Sequence, residues 1–234
     1  MLILNIAAYQ FFHVPDPKAL RQALLAQCQC HLLKGTILLS EEGMNLSLAG
    51  EEANVQAFKQ ILGTIDPCLV GMTFRESYSE KIPFQRLKVK VKKEIITLKQ
   101  AHINPTMQRA PAISPETLKQ WLDEGREVTL LDTRNDYEMD FGTFHDAVNL
   151  HLGHFSEFPE KMTAVKSQKP IVMFCTGGIR CEKAALQMLD AGYADVYQLD
   201  GGILNYFAKV GGAHYQGRCF VFDERVSVDA TLKS

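Results

Sequence analysis

Apolar and polar residues follow two rhythms along the chain, and the rhythm changes near residue 100. Ile3 to Gln10 is a mostly apolar run of strand length. Pro15, Asp16 and Pro17 then break the chain and open a helix to about Gln29. Lys34 to Ser40 and Asn45 to Ala49 are strands, and the short link Glu41-Glu42-Gly43 between them predicts a hairpin. Gly50-Glu51-Glu52 starts a second helix through about Leu62, with acidic residues in the turn where the helix dipole favours them. Met72 to Tyr78 and Leu87 to Val91 are further strands. The order β-α-β-β-α-β is that of a ferredoxin-like α+β domain, an antiparallel sheet with both helices on one face.

From Ser114 the rhythm is helix, strand, helix, strand. Ser114-Pro115-Glu116-Thr117 predicts an N-cap, a proline in the first turn, and a helix to about Glu124. Val128 to Asp132, Pro170 to Phe174 and Val196 to Leu199 are apolar runs short enough for buried strands. A helix from about Cys181 to Ala191, ended by Gly192, separates the last two. Strands alternating with helices predict a parallel sheet covered on both faces, with reactive groups beyond the carboxyl ends of its strands. The chain is therefore α/β overall. We expect a first domain over 1–98, a linker over 99–113, a second domain over 114–212 and a tail over 213–234. The linker assignment rests on Pro105 and Pro111, and on the lack of periodicity around them.

Composition adds limits. The 234 residues are 46% hydrophobic and 22% charged, which excludes disorder and fibrous repeats. Lys plus Arg number 25 against 27 Asp plus Glu, so the chain is not a globally basic nucleic-acid binder, though a local basic patch is compatible. The apolar start, Met1 to Phe12, falls well short of the ~20 residues a membrane span needs. It also lacks the basic flank and cleavage site of a signal peptide. We expect a cytoplasmic protein that does not engage a membrane, whose six cysteines are thiols.

The most informative stretch is Ile171-Val-Met-Phe-Cys175-Thr176-Gly177-Gly178-Ile179-Arg180-Cys181. A buried strand ends at Cys175, a glycine loop follows, and a helix begins. The sulfur then faces a helix N-terminus, the glycines let backbone N–H groups turn inward as an anion nest, and Arg180 adds positive charge. All three effects favour a thiolate. A merely structural cysteine would account for the sulfur but not for the glycines and arginine around it. Cys181, six positions on, is either a resolving thiol or a small packed residue. Four residues separate Cys175 from Arg180, one fewer than in cysteine phosphatases, so the ring is too tight for a phosphoryl group.

Cys175 to Arg180 resembles the active loop of the rhodanese family. Val128-Thr-Leu-Leu-Asp132-Thr-Arg134 is similar to the family's early strand. Phe141-Gly-Thr-Phe-His-Asp-Ala-Val-Asn149-Leu is similar to its second strand, and Tyr197-Gln-Leu-Asp-Gly201-Gly202-Ile203 to its late strand and double glycine. The resemblance implies a rhodanese domain, a five-stranded parallel sheet with helices on both faces. Asp132 and Arg134 either brace the cysteine loop or form an ordinary ion pair. Lys34-Gly-Thr-Ile-Leu-Leu-Ser-Glu-Glu-Gly43-Met-Asn45, Pro83-Phe-Gln-Arg86-Leu-Lys88-Val-Lys90-Val-Lys92-Lys93 and Gly217-Arg-Cys219-Phe-Val-Phe-Asp223 narrow the match. They resemble the rhodanese-like tRNA uridine hydroxylases, which form 5-hydroxyuridine at the wobble position. The chain is identified as a short member of that family, ending before the cysteine-rich C-terminal extension of longer members. The resemblance implies an oxidoreductase with tRNA as partner, molecular oxygen as co-substrate and Cys175 essential. The alternative is a rhodanese-type sulfurtransferase carrying a persulfide on Cys175.

Residues 81–110 hold eight basic residues against one acid, Glu94. Lys88, Lys90 and Lys92 alternate and should share one strand face, with Val89 and Val91 turned to the core. Such a stripe is either a solvated edge strand or a phosphate track flanked by Arg86 and Lys93. The resemblance favours the track. No metal site is expected. Cys28-Gln-Cys30-His31 offers only three ligands, and His151-x-x-His154 has no further ligand at a suitable spacing. No dinucleotide, iron or flavin signature is present, and no electron donor is readable from the residues. An acylphosphatase activity of the first domain is excluded because Ala8-Tyr9-Gln10-Phe11, expected after its first strand, holds no arginine.

Overall fold

The computed structural model describes residues 2–234. It divides into two compact units, one running to Ile96 and taking in Asp223–Arg225 and Lys233. The other comprises Thr97–Phe222, Val226–Leu232 and Ser234.

The first unit contains β1 (Ile3–Phe11), α1 (Pro17–Cys30), β2 (Lys34–Ser40), β3 (Gly43–Glu51), α2 (Glu52–Ile65), β4 (Arg75–Ser79) and β5 (Leu87–Val91). The strands lie in the order β4-β1-β3-β2-β5. β1, β2, β3 and β4 pair antiparallel, as the ferredoxin-like reading expects, while β5 adds a parallel edge beside β2. Asp16 opens α1 by accepting from the N–H groups of Lys18 and Ala19 at 2.9 and 3.0 Å. Alternate residues of the strands, Leu4, Ile6, Ile37, Leu39, Leu46 and Leu48, pack with Leu24 of α1 and with Val55 and Phe58 of α2. β4 begins at Arg75 rather than Met72, because the Met72 N–H is still bonded to Leu69 O in a turn. Ala8 to Phe11 lie inside β1, so the loop after that strand is Phe12–Asp16; it too contains no arginine.

The second unit contains β6 (Ala112–Ile113), α3 (Pro115–Asp123), β7 (Thr129–Asp132), α4 (Asp136–Met139), β8 (Gly142–Phe144), β9 (Val148–Asn149) and α5 (Phe158–Lys161). β10 (Ile171–Phe174), α6 (Ile179–Asp190), β11 (Val196–Leu199), α7 (Gly202–Val210), β12 (Tyr215–Gly217), β13 (Cys219–Phe220) and β14 (Ser227–Val228) follow. The main sheet has the order β6-β11-β10-β7-β9, and every pair in it is parallel. All four residues of β10 are buried, as a central strand covered on both faces requires. Val172 and Phe174 join a core with Leu118 of α3 and Ile203, Tyr206 and Phe207 of α7, while α6 packs on β10 and β11. Ser114 caps α3 by accepting from Thr117 N–H at 3.1 Å.

Three expectations are corrected. The segment expected as a linker belongs to the second unit from Thr97, buries Leu98, Ile103 and Ala110, and supplies β6 to the sheet. A strand of two residues is too short to show a period. The stretch Phe141–Leu150, expected as one strand of the main sheet, holds two: β9 takes that place beside β7, while β8 pairs with β12 in a separate two-stranded sheet. The segment expected as a tail is structured: Tyr215, Cys219, Val221 and Val228 are buried in the second unit's core.

Candidate active site

The cysteine loop is shaped by what lies at both ends of it. β10 stops at Phe174, and Cys175 to Gly178 make the turn into α6. Gly178 sits at φ +99°, which reverses the chain and sends its own N–H back to the Cys175 sulfur at 3.1 Å. On the outer side, Ile203 and Leu204 at the start of α7 donate to the carbonyls of Cys175 and Thr176, at 2.9 and 3.0 Å. With its carbonyls thus turned outward, the loop keeps its N–H groups facing the sulfur. This explains the double glycine after β11. A Cβ on Gly202 would stand 2.3 Å from Cys175 O, at a φ of +66° that side chains rarely adopt.

Cys175 has no exposed surface. Burial alone would push its thiol up. A hydrogen bond from Cys181, the Arg180 charge and the N–H groups of Arg180 and Gly178 outweigh that penalty and hold it well below the ordinary thiol range. The bond has a matching effect on its donor, since burial and the neighbouring Cys175 push Cys181 up. Cys181 is therefore packed beside Cys175 in the first turn of α6; Thr133 Oγ1 lies 3.5 Å from its sulfur. Burial also raises Cys28 and Cys219, both to about 12. Burial or neighbouring charge raises Cys28, Cys68, Cys181 and Cys219, whereas Cys175 is displaced toward the thiolate.

Arg180 is buried and its guanidinium closes a double contact on Glu138 of α4, with Nη2 to Oε2 at 2.8 Å and Nη1 to Oε1. Glu138 is fully buried. Its carboxylate also accepts from Asn135 N–H at 3.0 Å and from Thr176 Oγ1 at 3.4 Å. Burial works against that charge, but Arg180 and the Asn135 N–H hold the carboxyl below its usual range. The sequence reading missed Glu138. Its only local signal is its place as the last acid of Asn135-Asp136-Tyr137-Glu138, a helix-start pattern that says nothing of a partner 42 residues away.

Asp132 and Arg134 form a fully buried pair, Nε to Oδ1 at 2.9 Å and Nη2 to Oδ2 at 2.6 Å. Arg134 also donates to Gly142 O at 2.7 Å and to Glu138 O at 3.4 Å, and Asp132 accepts from Thr143 Oγ1 at 2.9 Å. The pair therefore ties the end of β7 to α4 and β8. It acts on the cysteine loop through Glu138, not by direct touch. Thr176, Gly177, Gly178, Ile179 and Arg180 make the loop itself. Gly177 and Ile179 are its partly exposed members.

The basic stripe lies in the first unit. Lys88 and Lys90 are in β5, in register with Thr36 and Leu38 of β2, on the sheet face away from the helices. β5 ends at Val91, so Lys92 is one residue past it, though its N–H still bonds to Leu39 O at 2.7 Å. Val89 is buried, but Val91 is 39% exposed instead of in the core, because it ends an edge strand with no neighbour on its outer side. Arg86, Lys90, Lys92 and Lys93 are exposed and Lys88 is half-buried. Among the described residues no cluster of three or more His, Cys, Asp or Glu is placed to hold a metal ion, and no helix is long and apolar enough to cross a membrane.

A thiolate ringed by N–H donors, with a fixed guanidinium behind it, can add to an electron-poor carbon or carry a second sulfur atom. Residues 114–209 match the family model of the rhodanese-like domain, and residues 3–95 that of the UPF0176 acylphosphatase like domain. The whole chain is similar to the tRNA uridine(34) hydroxylase of Cupriavidus necator. Identity is 49% over 241 aligned positions, which span 100% of this chain and 85% of that one. The protein of the same description from Bordetella petrii is 49% identical over 238 positions, 98% of this chain and 94% of its own. A crystal structure of a rhodanese-related protein from Thermoplasma volcanium aligns with 43% of this chain at 22% identity and a TM-score of 0.37.

Proposed function

The chain belongs to the tRNA uridine(34) hydroxylase family, and on that premise we propose that Cys175 is the residue through which it hydroxylates uridine 34 of tRNA at C5. The observation that carries the role of Cys175 is the convergence on one buried sulfur. Cys181, the Gly178 and Arg180 N–H groups and the Arg180 charge all favour its thiolate. Addition of that thiolate to C6 of uracil forms an S–C6 bond and places the electron pair on the C5–C4–O4 enolate. C5 then meets the oxidant, loses its proton, and the S–C6 bond breaks. The net change replaces C5–H by C5–OH. With molecular oxygen as co-substrate, one oxygen atom enters at C5 and the other leaves as water. That balance takes two protons and two electrons from an external two-electron donor. No resident cofactor is invoked. A tRNA substrate supports a cytoplasmic enzyme, and in this reading Arg86, Lys88, Lys90, Lys92 and Lys93 serve as its phosphate contacts.

The test is nucleoside mass spectrometry of tRNA from cells lacking the protein, complemented with the parental chain or Cys175→Ser. The parental chain should restore 5-hydroxyuridine and the variant should not. Labelling with ¹⁸O₂ should place the heavy atom on C5. A variant that modifies tRNA at the parental level removes Cys175 from the mechanism. Thiosulfate and cyanide should give little thiocyanate. Efficient thiocyanate release with no effect on tRNA would instead establish a sulfurtransferase.

A further inference from the structure

Four Phe or Tyr side chains are exposed among the described residues, and three of them meet beside the cysteine loop. Tyr137, Phe141 and Phe222 are 46%, 37% and 60% exposed, and each ring packs on Phe220. The centroid separations are 5.4, 5.4 and 5.1 Å. Tyr137 and Phe222 stand nearly perpendicular to Phe220, at 85° and 87°, so neither is stacked face to face on it. Burial would be the ordinary fate of four such rings, and a cluster left open to water marks a contact surface.

The cluster is joined to the catalytic loop at three points. Thr176 Oγ1 lies 3.4 Å from Phe220 O. The Arg180 guanidinium carbon lies 5.8 Å from the Phe222 ring centre, so a cation sits by that ring while most of the side chain remains exposed. Tyr137 immediately precedes Glu138, which accepts from both Arg180 and Thr176. Whatever covers these rings therefore lies next to whatever reaches Cys175.

Resting on the activity proposed above, we infer that Tyr137, Phe141, Phe220 and Phe222 form a stacking platform for unpaired nucleobases flanking the target uridine. A base that reaches a fully buried sulfur has to leave its stack, and its neighbours in the loop lose their partner when it does. An open aromatic face replaces that stacking whatever the neighbouring base is. A protein partner would find no such reason to sit against the reacting loop.

The probe is a 17-nucleotide anticodon stem-loop with 2-aminopurine at position 33 or 35, titrated with the full chain. Binding to the parental protein should quench the fluorophore. Phe222→Ala and Tyr137→Ala should bind about 5- to 150-fold more weakly, the range found when one base–aromatic stack is removed. Phe222→Tyr should restore both affinity and quenching. Phe222→Leu keeps the apolar surface but not the ring face, so it should not restore them. These side chains are exposed, so the alanine variants should unfold at the parental temperature. If the parental chain binds the stem-loop without quenching, or the alanine and leucine variants bind as it does, the platform is wrong. Quenching by a parental chain that leaves uridine 34 unmodified in the cell would retain the platform and overturn the activity. A ring cluster that leaves RNA alone but is protected from solvent by a second protein would overturn the nucleobase assignment.

Discussion

Glu138→Gln offers the sharpest check on the site's construction. Glu138 has no exposed surface, and Arg180 is 5% exposed. Neutralising the carboxylate leaves the guanidinium as a buried charge without its counter-ion. Breaking a buried pair in this way costs about 3–5 kcal/mol, more than the pair adds when whole. The amide retains part of the hydrogen bonding, so the lower end, about 3 kcal/mol, is expected at pH 7. The readout is favourable because the chain has one tryptophan, Trp121, in α3 of the second unit. Its fluorescence in urea therefore reports that unit alone. The pH dependence gives a second measure. The folded Glu138 carboxyl is held below its usual value. Its stabilisation is thus complete above the unfolded value of about 4.3 and is lost as pH falls through the folded one. Parental stability should fall across that acid window, and the variant should lack this component. A loss under about 1 kcal/mol at pH 7 with an unaltered acid limb would refute the buried pair as the support of Arg180.

Three further outcomes are expected. Cys175→Ser should abolish 5-hydroxyuridine formation while leaving the Trp121 unfolding curve close to parental. Cys181→Ala removes a neighbouring thiol that favours the Cys175 thiolate, so the pH at which Cys175 becomes alkylatable should move up towards the ordinary thiol value of ~8.5. Iodoacetamide labelling with peptide mapping would show this as a slower rate near pH 6 and an unchanged rate near pH 9; an unmoved profile would assign the low value to Arg180 and the loop alone. Changing Lys88, Lys90 and Lys92 together to Ser should weaken tRNA binding and flatten its salt slope by about two to three, at ~0.7–0.9 for each phosphate no longer neutralised. Parental affinity and slope in that variant would make the stripe a solvated edge.

Local chemistry in the chain was enough for much of this architecture. Asp16 and Ser114 announce α1 and α3 because a cap is satisfied within three residues of itself. The apolar run of β10, followed by glycines and Arg180, placed Cys175 at a strand's carboxyl end, because burial on both faces and a tight turn leave their marks on consecutive residues. Strands of two or three residues leave no such mark, so β6 reads as linker, and β8 and β9 read as one continuous strand. Glu138 reaches Arg180 across 42 positions and Thr133 reaches Cys181 across 48. No pattern in a single chain encodes such a distance. The same holds for the rings of Tyr137 and Phe220, which are far apart in sequence and 5.4 Å apart in space. Which residue carries the reactive sulfur was thus written locally. What holds the guanidinium behind it, and which rings open beside it, is decided only when α4, α6 and β13 are packed together, because those energies belong to pairs and not to residues.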